Sequence, residues 1–234
     1  MNTMHNNLCI IPARGGSKRI PRKNIKNFLG KPIIAYSIEA AIESKMFSEI
    51  MVSTDDAEIA EVAIRYGASV PFTRSVDNSN DFATTMDVLS EVTESYRKLG
   101  RSFDNICCLY ATSPFVTAEI LINSNQTFVN KEFDSLFPVM KYSFPIKRSL
   151  SVNDNKIEFN YPEYSNTRSQ DLSDSFHDAG QFYWLKNTIV QSRGNIVTAN
   201  TGAYEISELQ GQDIDNEMDW KLAELKYELL QNTK

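Results

Sequence analysis

Five short apolar runs, separated by stretches of helical periodicity, constrain this chain more than any other feature. The runs are residues 8–12, 49–54, 69–72, 105–110 and 135–140, rich in Ile, Val, Phe and Cys. Continuous apolar runs of this length suit strands buried on both faces of a parallel sheet. Between them, Pro32 opens a helical pattern carrying Ile34, Ile38, Ala41 and Ile42. Asp55 or Asp56 is placed to cap a second helix, with Ile59, Val62, Ala63 and Tyr66 on one face and Gly67 as its stop. Met86, Leu89, Val92 and Tyr96 line a third, ended by Gly100, and a fourth spans about 117–130. Strands joined by helices of this length predict right-handed crossovers and an α/β fold with a doubly wound, mostly parallel sheet. Ligands of such sheets sit outside the carboxyl ends of the strands.

The alternation stops at about residue 141. From there to about 178, prolines, Asn153-Asp154-Asn155 and many serines punctuate the chain, with one hairpin-like piece at 156–161. Alternation returns at 181–185, and an amphipathic helix is predicted over about 218–230. No repeat or flexible linker divides the 234 residues, so one domain is expected, with an insertion at about 141–172. A long segment without helical periodicity is usually functional or an oligomer contact.

Charge is unevenly spread. Residues 1–38 hold Arg14, Lys18, Arg19, Arg22, Lys23, Lys26 and Lys31 with no Asp or Glu, although the whole chain is acidic at −6. Cations concentrated in one short segment of an acidic protein point to a bound anion. Aromatic interleaving and further cation runs are missing, which disfavours nucleic acid. No apolar run reaches membrane-spanning length, and no apolar signal core opens the chain, so a cytoplasmic protein is expected. Cys9, Cys107 and Cys108 sit in apolar runs without metal-site spacing and read as reduced core thiols.

Two places carry chemistry. The first is the turn after the first strand, Pro12-Ala13-Arg14-Gly15-Gly16-Ser17-Lys18, continued by Lys23 and Asn24. Its glycines let backbone N–H groups approach an anion closely, while Arg14 and Lys18 supply charge for a polyphosphate. The spacing is neither the G-x-x-x-x-G-K-S/T loop nor the G-x-G-x-x-G fingerprint. The second is Gln212-Asp213-Ile214-Asp215, before the last helix. In extended backbone, Asp213 and Asp215 share a side while Ile214 points to the core. Converging carboxylates repel unless a cation lies between them, and magnesium favours one or two carboxylates plus substrate phosphates. The plainer alternative is that Asp215 or Asn216 caps the last helix.

The set of motifs resembles the CMP-sialic acid synthetases and their relatives, the acylneuraminate cytidylyltransferases. Ile11-Pro12-Ala13-Arg14-Gly15-Gly16-Ser17-Lys18 with Pro21, Lys23 and Asn24 is similar to the family signature, and Asp213-Ile214-Asp215 to its metal motif. Val52-Ser53-Thr54-Asp55, Arg74, Asp81-Phe82-Ala83-Thr84-Thr85 and Thr112-Ser113-Pro114 follow in the family's order. Asn166 to Leu172 and His177 to Tyr183 resemble the branch that acts on pseudaminic acid. Tyr110-Ala111 before Thr112, and His177-Asp178-Ala179-Gly180, depart from the sialic acid branch on the sugar side.

The resemblance implies a nucleotidyltransferase-type fold and transfer of CMP from CTP to a nine-carbon acidic sugar. Arg14, Lys18 and Lys23 would hold the triphosphate, with Ala13, Gly15, Gly16 and Ser17 in the same loop. Asn24, Arg74, Ala83 and Thr85 would face the nucleoside. Asp213 and Asp215 would hold Mg2+. Tyr110, Thr112, Gln181, Phe182 and Tyr183 would line the sugar pocket, with His177 sugar-binding or structural. Arg168 would cross to the partner subunit of a homodimer. Rival readings are another sugar acid such as N-acetylneuraminic or legionaminic acid, a metal-dependent nucleotide-sugar glycosyltransferase, and a non-catalytic nucleotide sensor.

Overall fold

Continuous apolar sequence makes β1 (Asn7–Pro12) a strand buried almost throughout. A short ribbon, β2 (Asn27–Phe28) against β3 (Lys31–Pro32), leads into α1 (Ile33–Ser44), followed by β4 (Glu49–Ser53) and α2 (Ala57–Arg65). Next come α3 (Thr85–Lys98), β5 (Asn105–Leu109), α4 (Ala118–Asn130), β6 (Ser135–Lys141), β7 (Leu150–Asn153) and β8 (Lys156–Phe159). The chain closes with β9 (Phe176–Asp178), β10 (Phe182–Lys186), α5 (Asn187–Gln191), β11 (Thr201–Glu205) and α6 (Glu217–Asn232). This computed structural model describes residues 6–232; the reading of the first residues as free of a signal core lies partly outside them.

The main sheet has the order β11-β6-β10-β5-β1-β4, with β9 also paired to β6. Strands β4, β1, β5, β6 and β11 run one way, and β10 and β9 run the other. The sheet is thus mostly parallel, as expected, with one reversed strand at its centre. Alternation sorts the side chains. Cys9, Ile11, Leu109, Phe182 and Trp184 meet α1, α2 and α4 on one face. Leu8, Ile10, Ile106, Cys108, Tyr183 and Leu185 meet α3 on the other. A third cluster joins Phe28, Tyr36, Ile214 and Trp220 beneath α6. The three cysteines are buried free thiols, and burial pushes Cys107 and Cys108 up.

Two details differ from the sequence reading. The run at 69–72 forms no full strand: Ser69 makes one parallel bridge to Met51, and Pro71 then has no N–H to offer the ladder. Strand β11, which carries Gly202 in an otherwise short and polar segment, was not anticipated. Gly202 is required there, since a Cβ would lie 2.2 Å from the Phe133 ring.

Helix caps follow local chemistry. Asp56, not Asp55, caps α2 by accepting from Ile59 N at 3.0 Å. Thr84 and Asp87 form a reciprocal capping box on α3. The irregular segment contains a hairpin, β7 with β8, turned by Asp154 and Asn155 at φ 50° and 62°. Every residue of its two strands is exposed.

Candidate active site

Strand β1 ends beside the end of β4, with Pro12 in register with Ser53, and Ala13 N donates to Ser53 O at 2.9 Å. The basic turn therefore starts at the carboxyl edge of the sheet. Gly15 N donates to Asp55 Oδ1 at 2.9 Å, and a Cβ on Gly15 would sit 2.8 Å from Asp56 Oδ2. Only glycine permits that approach. Arg22, in the left-handed region at φ 55°, grips Asp56 at 2.5 and 2.9 Å and Glu58 at 2.5 Å. That guanidinium holds the Asp56 carboxyl down at about 2. Lys26 pairs with Glu217 at 2.7 Å and Lys31 with Glu39. Three of the seven clustered cations thus anchor the loop, and Arg14, Lys18, Arg19 and Lys23 line the cleft.

That cleft holds about 480 Å³. Ser17, Asn24, Arg74, Ala83, Thr85, Tyr110 and Thr112 also line it, so residues far apart in sequence meet in one place. Arg14 and Lys18 both reach Asp81, at 2.7 and 2.5 Å. Asn24 is buried and donates to Arg14 O at 2.9 Å. Arg74 is buried too; its Nε donates to Ser53 Oγ at 3.0 Å and a terminal nitrogen donates to Ser53 O. Burial lowers the Arg74 pKa, and Asp55 works against that effect. Ala13 is fully buried among core residues, and Gly15 and Gly16, in the turn itself, do not line the cleft.

The Asp213-Ile214-Asp215 segment closes one end. Ile214 is 1% exposed in the cluster under α6, which leaves the flanking carboxylates on the other side. Lys23 Nζ donates to Ile214 O at 2.7 Å. Burial lowers the Lys23 pKa, while Asp215 and Asp213 oppose the shift. Asp213 keeps an exposed edge, yet burial and then the charge of Asp215 raise its pKa, with Lys23 countering. Asp215 pairs with Arg19 at 2.7 Å. Asp215 is not the cap of α6: Asn216 Oδ1 accepts from Met218 N at 2.8 Å and Asp219 N at 3.1 Å. Asp219 in turn accepts from the backbone N–H groups of Asp215 and Asn216. Neither carboxylate is used by the helix cap, and Asp215 meets Arg19 of the cleft instead. Among the described residues no group of three or more His, Cys, Asp or Glu forms a metal cage. The donor set, two carboxylates beside a polyphosphate-sized cationic cleft, fits magnesium, which takes its remaining ligands from phosphate and water.

On the far side of Asp213 lies a second cavity of about 360 Å³, lined by Lys141, Tyr142, His177, Asp178, Gln212, Asp213 and Lys226 among others. His177 Nδ1 lies 2.9 Å from Asp178 O, and its ring leans on Tyr142. Gln181 is 2% exposed; its Nε2 donates to Gln210 O at 2.6 Å and its Oε1 has no partner among the described residues. Tyr183 is buried with its hydroxyl on Asp178.

Of the expected sugar contacts only His177 lines this cavity; Tyr110 and Thr112 line the cleft, and Gln181, Tyr183, Phe182 and Arg168 line neither. Phe182 is fully buried in the core on the opposite sheet face, because strand alternation turns it away from Tyr183. Arg168 pairs with Asp171 at 2.7 Å in the irregular segment and lines neither cavity within this chain. Sequence reasoning named Arg19, Asp81 and Asp178 only within the cation cluster and the motifs, with no role of their own, and did not name Lys226. Lys226 carries no motif signal, since it donates to the backbone oxygens of Glu208 and Gly211 at 3.1 and 2.9 Å.

The chain is similar to several known proteins. Pseudaminic acid cytidylyltransferase of Campylobacter jejuni is 40% identical, covering 95% of this chain and 97% of that protein. CMP-N,N'-diacetyllegionaminic acid synthase of Legionella pneumophila is 34% identical over 96% of this chain and 97% of its own. A solved CMP:2-keto-3-deoxy-manno-octonic acid synthetase, complexed with CTP, shares the fold at TM-score 0.70 and 18% identity, covering 97% of this chain and 99% of that one. The family model described as Cytidylyltransferase matches residues 8–206, and the chain belongs to that family of enzymes.

Proposed function

We propose that the enzyme transfers CMP from CTP to the anomeric hydroxyl of pseudaminic acid and releases pyrophosphate. One observation carries the reading: Lys23 ties the cationic cleft to the Asp213–Asp215 pair through Ile214 O at 2.7 Å. The arrangement suits a nucleoside triphosphate whose phosphates run from Arg14 and Lys18 toward the two carboxylates. The similarity to pseudaminic acid cytidylyltransferase over nearly the whole chain supports the choice of acceptor.

In the proposed reaction the anomeric oxygen attacks the α-phosphorus, the bond from that phosphorus to the bridging oxygen breaks, and pyrophosphate leaves. The hydroxyl proton passes to solvent. Such transfers rely on positioning and charge neutralisation, and no side chain is required as a nucleophile. Arg14, Lys18 and Lys23 hold the phosphates, and Asn24, Arg74, Ala83 and Thr85 surround the nucleoside. Asp213 and Asp215 would hold magnesium, which when bound neutralises phosphate charge. Tyr110, Thr112, Gln181, Tyr183 and His177 bound the acceptor side. The reading includes a cytoplasmic homodimer; no described helix is long and apolar enough to cross a membrane.

Pyrophosphate release with CTP or UTP against pseudaminic, legionaminic and N-acetylneuraminic acids tests the assignment. CTP with pseudaminic acid should give the highest kcat/KM. A base pocket matched to the exocyclic amine leaves buried groups unpaired with UTP, at about 1–3 kcal/mol each. Equal use of UTP would overturn the base assignment. Higher kcat/KM with legionaminic or N-acetylneuraminic acid would overturn the acceptor.

A further inference from the structure

Asp178 stands at the end of β9, where pairing with Val139 of β6 fixes its backbone. Its Oδ1 accepts from Gly180 N at 2.7 Å and its Oδ2 from the Tyr183 hydroxyl at 2.6 Å. Gly180, at φ 63°, makes the tight return that brings β10 back beneath this carboxylate. The Tyr183 ring meets Tyr110 edge-on at 5.6 Å and Phe137 at 5.5 Å. The Tyr110 hydroxyl lies 2.9 Å from Thr85 Oγ1. A line of polar groups thus runs from Asp178 in the second cavity, through two phenols in contact, to Thr85 in the cleft.

The direction of the bond at Asp178 matters. An ionised carboxylate only accepts, so the single Tyr183 proton is committed to it. The Tyr183 oxygen is left with lone pairs alone. Burial and the contacts with Tyr110 and Asp178 keep this phenol protonated. An oxygen in that state favours a ligand hydroxyl or amide N–H and disfavours a ligand carboxylate.

We propose that Asp178 is a positioning residue for the acceptor sugar, acting by holding the Tyr183 hydroxyl as a hydrogen-bond acceptor beside Tyr110, which lines the cleft. The consequence is orientation. A sugar acid would place a hydroxyl or acylamino N–H toward Tyr183 and its carboxylate elsewhere. This inference rests on the proposed function, because it assumes that the acceptor occupies the second cavity and the space beside Tyr110.

Asp178→Asn separates this role from closure of the turn. The Gly180 N–H can only donate, so the amide oxygen stays on it and the amide NH2 turns to Tyr183. The Tyr183 hydroxyl then accepts from the amide and presents its proton instead. The turn survives while the polarity inverts. With pseudaminic acid, Asp178→Asn should lower kcat/KM for the sugar by roughly 5- to 150-fold, the range for one mismatched buried hydrogen bond. KM for CTP should move less than about twofold, within the scatter of sites that do not couple. Tyr183→Phe should give a similar sugar-side loss, and the double variant should be no worse than Tyr183→Phe alone.

Unchanged sugar kinetics in Asp178→Asn, equal losses for both substrates, or losses that multiply in the double variant would each overturn the inference. Tyr183→Phe leaves the Asp178–Gly180 turn untouched, so an unchanged sugar KM in that variant overturns it even where Asp178→Asn fails to fold. Wild-type enzyme that turns over no nonulosonic acid would defeat the functional reading itself. A wild type active with pseudaminic acid and indifferent to Asp178→Asn defeats only this inference.

Discussion

Lys23 Nζ donates to the carbonyl oxygen of Ile214 at 2.7 Å, joining positions 191 residues apart in sequence. Lys23 belongs to the single helical turn that follows the basic loop, and Ile214 is the core-facing residue between two carboxylates. One ammonium therefore sets how far the cationic cleft stands from the Asp213–Asp215 pair.

Replacing it should disable the enzyme without unfolding it. Lys23→Met keeps the length of the stem and removes the charge and the donor. Loss of one preorganised charged contact on a transferring group is worth about 10²–10³ in kcat. Because burial lowers the Lys23 pKa, loss of its proton should end activity at a pH below the ordinary lysine range. A pH profile of kcat/KM for CTP, which reports the free enzyme, checks this: an alkaline limb that persists unchanged in Lys23→Met would assign it to another group.

Asp213 should make both stability and metal binding depend on pH. The folded pKa of Asp213 is raised, so its ionised form opposes folding, and that penalty is absent at low pH and appears as pH rises through the folded value. Asp213→Asn should therefore raise the melting temperature of the metal-free protein at pH 7 while cutting turnover. Asp215→Asn should cut turnover by at least about a hundredfold, beyond the loss typical of an outer-sphere partner. Protons compete with magnesium for Asp213, so half-saturating magnesium should climb as pH falls toward 5. Full turnover in chelator excess would remove the metal from the reading.

The Arg22–Asp56 pair is a structural device with its own pH window. Asp56 caps α2 and holds the loop through Arg22, and its pKa falls to about 2. A depressed carboxyl stabilises the fold above its unfolded pKa, near 3.9, and loses that contribution as pH falls toward about 2. Asp56→Ala should cost about 1 kcal/mol for the cap alone, plus the loop contact. Denaturant midpoints at pH 7 and pH 3 should therefore differ less in Asp56→Ala than in the wild type.

Much of this was legible because it is local. Periodicity placed the helices, and the Asp55-or-Asp56 cap and the start near 117 fall within a residue of the observed caps Asp56 and Thr117. The basic turn and the Asp-Ile-Asp segment could be read because glycine, cation and carboxylate chemistry are each written in adjacent residues. What stayed hidden depends on long-range pairing. The reversed direction of β10 follows from the Gly180 return and from β5 and β6 on either side, neither visible in its own five residues. The count of seven clustered cations overstated the anion site, since Arg22, Lys26 and Lys31 do not line the cleft and pair with carboxylates away from it. Phe182 is separated from the acceptor side by strand alternation alone, one residue from Tyr183, and a motif match has no means of showing that.

The hairpin β7–β8 supplies the last prediction. Val152 and Ile157 are 65% and 66% exposed, and Phe144 at its base is 83% exposed. Apolar residues gathered on a projecting ribbon need a partner, and a two-fold contact would bury the same patch twice. Arg168 lies in the same segment, its side chain 73% exposed and paired with neighbouring Asp171. We expect a homodimer in which this segment delivers Arg168 to the sugar cavity of the other subunit, where its planar fork suits a carboxylate. Asp215→Asn and Arg168→Ala should each be inactive alone. In a mixed dimer one site lacks both residues and the other has both, so equal mixing should recover about a quarter of wild-type activity. Subunit exchange without any recovery would place Arg168 in its own subunit's site or outside the reaction. A fully active monomer at assay concentration, seen by sedimentation, would remove the dimer and the crossing arginine together.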